Sequence, residues 1–122
     1  MKTVLIVEDT QDYAENLKFI LLKAGYNAVI ASDGKEGLEK AIQIKPDLIL
    51  MDILMPGQDG VETTSKIKED ESLKDTPVIF LTAVTAGDNV FTSVNGKNFL
   101  TISKMVDYKT LLSKIREVLD WK

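Results

Sequence analysis

The sequence contains no cysteine and no histidine, only three prolines, and no apolar run that approaches the ~18 residues a membrane span requires. Without cysteine there is no disulfide framework, no thiolate nucleophile and no zinc–thiolate site. Without histidine, Ser–His and Cys–His pairs, imidazole metal ligands and a histidine general base all drop out. Lysine and arginine are interleaved with acids rather than blocked, so direct nucleic-acid binding is not expected. The first residues, MKTVLIVED, offer one lysine and then acids, with no small-residue cleavage site of the kind a signal peptide carries. These exclusions favour a soluble, cytoplasmic protein with no membrane contact. They leave carboxylates, lysine, hydroxyls and an oxygen-bound metal to do any chemistry.

What is present fits one domain over residues 1–122, at 44% hydrophobic and 28% charged residues with a net charge of −4. Five short apolar, β-branched runs stand out: TVLIVE (3–8), YNAVIA (26–31), DLILMD (47–52), PVIFLT (77–82) and FLTIS (99–103). They are near-continuous rather than alternating, as strands covered on both faces are. Helical stripes fall between them. Leu17, Ile20, Leu21 and Ala24 form one, closed by Gly25 at the position after the helix end. Leu38, Ala41 and Ile42 form a second, with Pro46 beyond it, and Val61, Thr64 and Ile67 form a weaker third. The last helix, 107–120, carries Tyr108, Leu111, Leu112, Ile115, Val118 and Leu119 behind Asp107 as N-cap, and runs into Trp121 and Lys122 as into a natural end. Segment Ala86–Asn95 is rich in poor helix formers, but Val90, Phe91 and Val94 give it a helical face, and it is expected as a helix. Strands alternating with helices imply right-handed crossovers and a five-stranded parallel sheet between two helical layers.

In such sheets ligands bind beyond the carboxyl ends of the strands. The first strand ends in Glu8 and Asp9, the third in Asp52, the fourth in Thr82 and the fifth in Lys104. Alone, each reads as a cap, a loop start or a solvated lysine whose stem packs on apolar neighbours. Together they put three carboxylates, a hydroxyl and an ammonium on one edge. Crowded carboxylates repel unless a cation intervenes. Mg²⁺ suits them, with Mn²⁺ as its substitute, because it takes one or two carboxylates and keeps water positions that a phosphate can fill. Lys104 can then pair with a carboxylate at rest and with a phosphoryl oxygen later. Pro56, Gly57 and Gly60 shape the loop after Asp52 and let a carbonyl near Leu54 turn toward the metal.

The set VED at 7–9, DILMPGQDG at 52–60, LTA at 81–83 and SK at 103–104 resembles the receiver domain of two-component response regulators across essentially the full chain. The resemblance implies a flavodoxin-like (βα)5 sandwich with strand order 2-1-3-4-5. It implies that Asp52 is the phosphoacceptor, taking a phosphoryl group from a sensor histidine kinase or a histidine phosphotransfer protein. Asp9, Asp52 and the Leu54 carbonyl would hold Mg²⁺, with Glu8 acting mainly through water. Thr82 and Lys104 would meet phosphoryl oxygens, and Thr82 and Thr101 would stand at the switch positions. The implied product is a switch, read as a stand-alone receiver with a part of a longer regulator as the open alternative; it is a monomer or weak dimer that reports to a downstream effector protein, and not an enzyme acting on a separate substrate.

Three departures touch output. Met105 follows Lys104 where the family usually has proline, so a trans peptide is expected, since a non-proline cis bond costs roughly 2.5–4 kcal/mol. Thr101 stands where the family has a swinging Tyr or Phe, and the nearest aromatic, Phe99, lies two residues away on the same strand face. The helix expected over 86–95 is weakly encoded. Leu54 and Val84 flank the phosphoryl position with apolar side chains, so slow autodephosphorylation is expected. Two other functions remain open: a module of this fold that signals without phosphate through its 86–105 surface, and a small Mg²⁺-dependent hydrolase. The hydrolase would want an acid two residues beyond Asp52, where Leu54 stands.

Overall fold

A computed structural model describes residues 1–55, 59–83 and 90–120; Pro56, Gly57, Val84, Trp121 and Lys122 and residues 86–89 of the expected helix lie outside the described residues. The chain runs β1 (Thr3–Val7), α1 (Gln11–Lys23), β2 (Asn27–Ala31), α2 (Gly34–Ile44), β3 (Leu48–Asp52) and α3 (Gly60–Lys68). A 3-10 turn (Glu71–Leu73), β4 (Val78–Thr82), β5 (Val90–Val94), β6 (Lys97–Ser103) and α4 (Tyr108–Asp120) follow. One six-stranded sheet has the order β2-β1-β3-β4-β6-β5. Its first five members are parallel neighbours in the expected 2-1-3-4-5 sequence.

The sheet is covered on both faces, as the continuous apolar runs required. Val4, Ile6, Leu50, Leu81 and Ile102 pack with Leu17 and Leu21 of α1 and with Leu111 and Ile115 of α4. Leu5, Val7, Ile49, Met51 and Phe80 pack on the other side with Ala41 of α2 and Ile67 of α3. Each buried Val, Leu, Ile, Met or Phe among them contributes about 1.5–3 kcal/mol relative to exposure. One stripe is oriented differently from expectation. Ile42 is 41% exposed, because α2 turns its small face, Gly34, Gly37 and Ala41, toward the sheet.

The helix expected over 86–95 is corrected. Within its described part the chain is strand β5, antiparallel to β6, so the sheet is not purely parallel. The cause is local. Asn95 and Gly96 both have positive φ, 52° and 83°, and form a two-residue loop that pairs Val94 with Lys97. Asn-Gly is the strongest short hairpin signal, because a turn whose twist matches the strands needs left-handed backbone at both central residues. Flanking β-branched Val90, Thr92 and Val94 on alternate positions suit a pleated surface better than a helix. The strand expected at 99–103 accordingly begins earlier, at Lys97.

Helix starts follow the expected chemistry. Asp33, Asp59 and Asp107 each accept a backbone N–H from the first turn, at 2.8, 2.7 and 2.7 Å. Gly60 has a second role. Its N–H donates to Ile53 O at 2.7 Å, and a Cβ placed on it would lie 2.1 Å from the backbone oxygen of Asp52. Only a residue without a side chain lets α3 start this close to the end of β3. Among the described residues no helix is long and apolar enough to cross a membrane.

Gly60→Ala therefore forces α3 away from Asp52, and thermal or denaturant unfolding should show a loss of about 3 kcal/mol, as for other overpacked sites. An unchanged midpoint would mean that the two segments can separate freely.

Candidate functional site

Four strand ends meet at the carboxyl edge of the sheet. Glu8 and Asp9 continue from β1, Asp52 closes β3, Thr82 closes β4 and Lys104 continues from β6. Backbone bonds extend the ladder past the strands and fix the carriers of these side chains. Glu8 N–H donates to Ala31 O at 3.0 Å, Ile53 N–H to Leu81 O at 3.0 Å, and Lys104 N–H to Thr82 O at 2.7 Å. The Leu54 N–H donates to Asp52 Oδ1 at 3.3 Å, so the loop begins by folding back on the carboxylate.

The side chains converge. Lys104 Nζ lies 2.6 Å from Glu8 Oε1 and 3.2 Å from Asp52 Oδ2. Glu8 is 1% exposed and Asp52 3%, whereas Asp9 is exposed. The other oxygen of Glu8 accepts the Thr10 N–H at 2.9 Å. One carboxylate oxygen each from Glu8, Asp9 and Asp52 lies within 4.8 Å of the others. Three hard oxygen donors at this separation fit a small divalent cation that keeps part of its water shell.

Electrostatics give the same answer. Burial, then the neighbouring Glu8 carboxylate, pushes Asp52 up to about 7, with Lys104 pulling against them and the Asp9 carboxyl adding to the rise. Burial also disfavours the Lys104 ammonium, but Glu8 and then Asp52 outweigh it and hold its pKa above the ordinary lysine value. One ammonium is thus shared by Glu8 and Asp52 with Asp9 beside them, which leaves the cluster short of positive charge.

Every acid expected at the site is there, and Thr82 is buried at the adjoining strand end. Thr101 is different. It precedes Ser103, the register partner of Thr82, by two residues, and its Oγ1 lies 2.5 Å from Oγ1 of Thr92 on β5. Phe99 shares its strand face, packs edge-on against Phe80 with ring centroids 6.0 Å apart, and carries Lys68 Nζ 5.6 Å above its ring. Met105 is 75% exposed and follows Lys104 through a trans peptide. Tyr13 was not anticipated from the sequence. Its ring centroid lies 5.0 Å from Lys104 Nζ, and burial, then Tyr108, Glu8 and Asp52, raises its hydroxyl pKa. The only sequence signal was its place in the first turn after Asp9.

Comparison with known proteins agrees with this geometry. The family model for the response regulator receiver domain matches residues 4–116. Response regulator ArlR of Staphylococcus aureus is 35% identical over 98% of the chain, but the match takes in 53% of that protein. The chain thus spans about half the length of the curated relatives it matches. Among solved structures, a CheY-like receiver domain protein from Methanospirillum hungatei has a TM-score of 0.86 at 32% identity, covering 98% of this chain and 94% of that one. Chemotaxis protein CheY4 of Vibrio cholerae scores 0.85 at 28% identity, covering 98% and 99%. Response regulator TrrA of Thermotoga maritima, in complex with Mg²⁺ and BeF, scores 0.82 at 30% identity, covering 98% and 100%.

The raised pKa of Asp52 has a stability consequence. The folded carboxyl holds its proton up to about pH 7, whereas an unfolded one loses it near 3.8. Metal-free protein therefore loses stability as pH rises through that window, and the full cost is in place above it. In EDTA at pH 8, Asp52→Asn should be more stable than the parent by about 1–3 kcal/mol, and the gap should close toward pH 4. Thermal unfolding of both proteins across pH checks this; a destabilised variant at pH 8 would contradict it.

Proposed function

Because this chain belongs to the response regulator receiver domain family, we propose that Asp52 accepts a phosphoryl group from a phosphohistidine on a sensor histidine kinase or a histidine phosphotransfer protein. The carrying observation is the buried Asp52 carboxylate, 3.2 Å from the Lys104 ammonium and clustered with Glu8 and Asp9. Transfer needs in-line positioning and neutralised charge on the phosphoryl oxygens more than it needs a strong base. An Asp52 oxygen forms the new bond to phosphorus, the histidine N–P bond breaks, and its electron pair returns to the imidazole. The donor histidine belongs to the partner, so its absence from this chain is no obstacle.

Asp9, Asp52 and the backbone carbonyl of Leu54 would hold Mg²⁺, or Mn²⁺ in its place, with Glu8 acting mainly through water. When bound, the ion supplies positive charge to the carboxylates and to the phosphoryl oxygens. Lys104 hands part of its charge from Asp52 to a phosphoryl oxygen, and its bond to Glu8 keeps the ammonium at the site. The Thr82 hydroxyl donates to another phosphoryl oxygen. TrrA, with its Mg²⁺ and BeF, supports the choice of ion. We read residues 1–122 as one cytoplasmic receiver domain that changes its binding to a downstream effector protein. Thr82 and Thr101 stand at its switch positions, and its catalysis is limited to its own phosphorylation and dephosphorylation.

A second reading, signalling without phosphate, is favoured by the β5–β6 hairpin and by the Thr101 hydroxyl where a mobile aromatic ring was expected. Incubation with Mg²⁺ and acetyl phosphate separates the two. The intact mass should rise by one phosphoryl group, and the Asp52→Ala protein should show no gain. No Mg²⁺-dependent response of any kind would leave the second reading in place.

Lifetime depends on the flank of Asp52. Leu54 is 69% exposed and offers no group that could orient an attacking water. Leu54→Asn should shorten the half-life of the aspartyl phosphate several-fold, measured by loss of label from the phosphorylated protein, and an unchanged half-life would contradict this role.

A further inference from the structure

The outer edge of β5 is chemically suited to pairing. β5 is the terminal strand of the sheet, and among the described residues nothing pairs with its far side. Its sequence, VFTSV, has no charge and no proline, and Phe91 stands on it 55% exposed. Sheet edges are usually blunted by lysine, proline or a covering group. The opposite edge, β2, is blunted in that way, because Lys40 Nζ donates to the carbonyl of Ile30 at 2.6 Å.

Register decides which groups of β5 point outward. The two-residue Asn95–Gly96 loop makes Val94 and Lys97 the hydrogen-bonded closing pair. Bonded and non-bonded pairs alternate along an antiparallel ladder. Val90, Thr92 and Val94 therefore turn their N–H and C=O toward β6, while Phe91 and Ser93 turn theirs away. Two donors and two acceptors face outward, arranged symmetrically about Thr92.

We propose that β5 pairs antiparallel with β5 of a second copy of this chain, with Thr92 on the two-fold axis and Phe91 of each copy opposite Ser93 of the other. The seam then carries four N–H···O=C bonds. The bulky Phe91 meets the small Ser93 twice, so the strand complements itself better than an arbitrary one. The two Phe91 rings stand on one face at diagonal positions, about 7–8 Å apart at the backbone and within aromatic reach. Charge favours this edge over the rest of the surface. A chain of net charge −4 repels its copy elsewhere, but no charged residue of β5 faces the seam. A five-residue seam covers less than the roughly 1,200 Å² of a stable interface, so the dimer is weak, with a Kd on the order of 100 µM.

Sedimentation velocity of the full chain from about 10 µM to about 1 mM brackets such a Kd. The mass should climb toward the dimer over this range, while amide exchange at Phe91 and Ser93 slows. Ser93→Pro removes one outward donor and leaves the bonds to β6 untouched, as proline on an edge strand allows. Phe91→Lys places an ammonium at the exposed position in both copies. Both variants should stay monomeric throughout with unchanged circular dichroism. If the proline variant does not fold, the lysine variant alone decides. A dimer that survives Phe91→Lys overturns the proposal by locating the interface elsewhere. A parent chain still monomeric at the top concentration, with Phe91 and Ser93 exchanging freely, also overturns it and leaves the edge to a foreign strand.

Discussion

The Lys104 ammonium, 2.6 Å from Glu8 and 3.2 Å from Asp52, is what allows two carboxylates to be buried side by side at adjoining strand ends. Without it both would face burial and mutual repulsion with no opposite charge. Its position depends in turn on the sheet. The Lys104 N–H is bonded to Thr82 O, so the register of β6 against β4 sets where the ammonium can reach. Tyr13 covers it from α1, and the bond from Gly60 to Ile53 ties α3 to the other wall of the site. The site is therefore chiefly the sum of strand registers, with α1 and α3 bearing on it through Tyr13 and Gly60.

The charge balance of the site is unfinished by design of its residues. Three acids and one lysine leave a surplus of negative charge, which adds, through Glu8, to the rise that burial imposes on the pKa of Asp52. Three carboxylates with one ammonium between two of them fit a further positive charge, which is what a divalent cation on this cluster would bring. Thr101 lies away from that exchange, bonded to Thr92 of the hairpin. The side-chain contact that this position of β6 makes with β5 is thus a hydroxyl pair rather than a ring packed on a strand.

The site was legible in the sequence because it lies where strands stop. Glu8, Asp9, Asp52, Thr82 and Lys104 are all next to apolar runs whose ends are easy to read, and the parallel order makes those ends meet. The hairpin was legible too and was misread. Val94-Asn95-Gly96-Lys97 carries the turn signal in full, but Val90, Phe91 and Val94 also fit a helical stripe, and a regular strand–helix alternation favoured the helix. Tyr13 was hidden for another reason. Its contact with Lys104 crosses between the first helix and the last strand, and no local pattern encodes it. The exposure of Ile42 was hidden likewise, since glycine-sized residues gave α2 a buried face that an apolar count overlooks.

The same hairpin bears on the order in which the chain assembles. β5 and β6 are neighbours in sequence, closed by two residues, whereas β1 meets β3 only after the intervening strand and two helices have been laid down between them. Hairpins form in about 1–10 µs, and pairings between distant segments must first close long loops. Of the five strand pairings, β5 with β6 has the shortest loop to close, and the four parallel ones, β4 with β6 among them, each wait on a longer one.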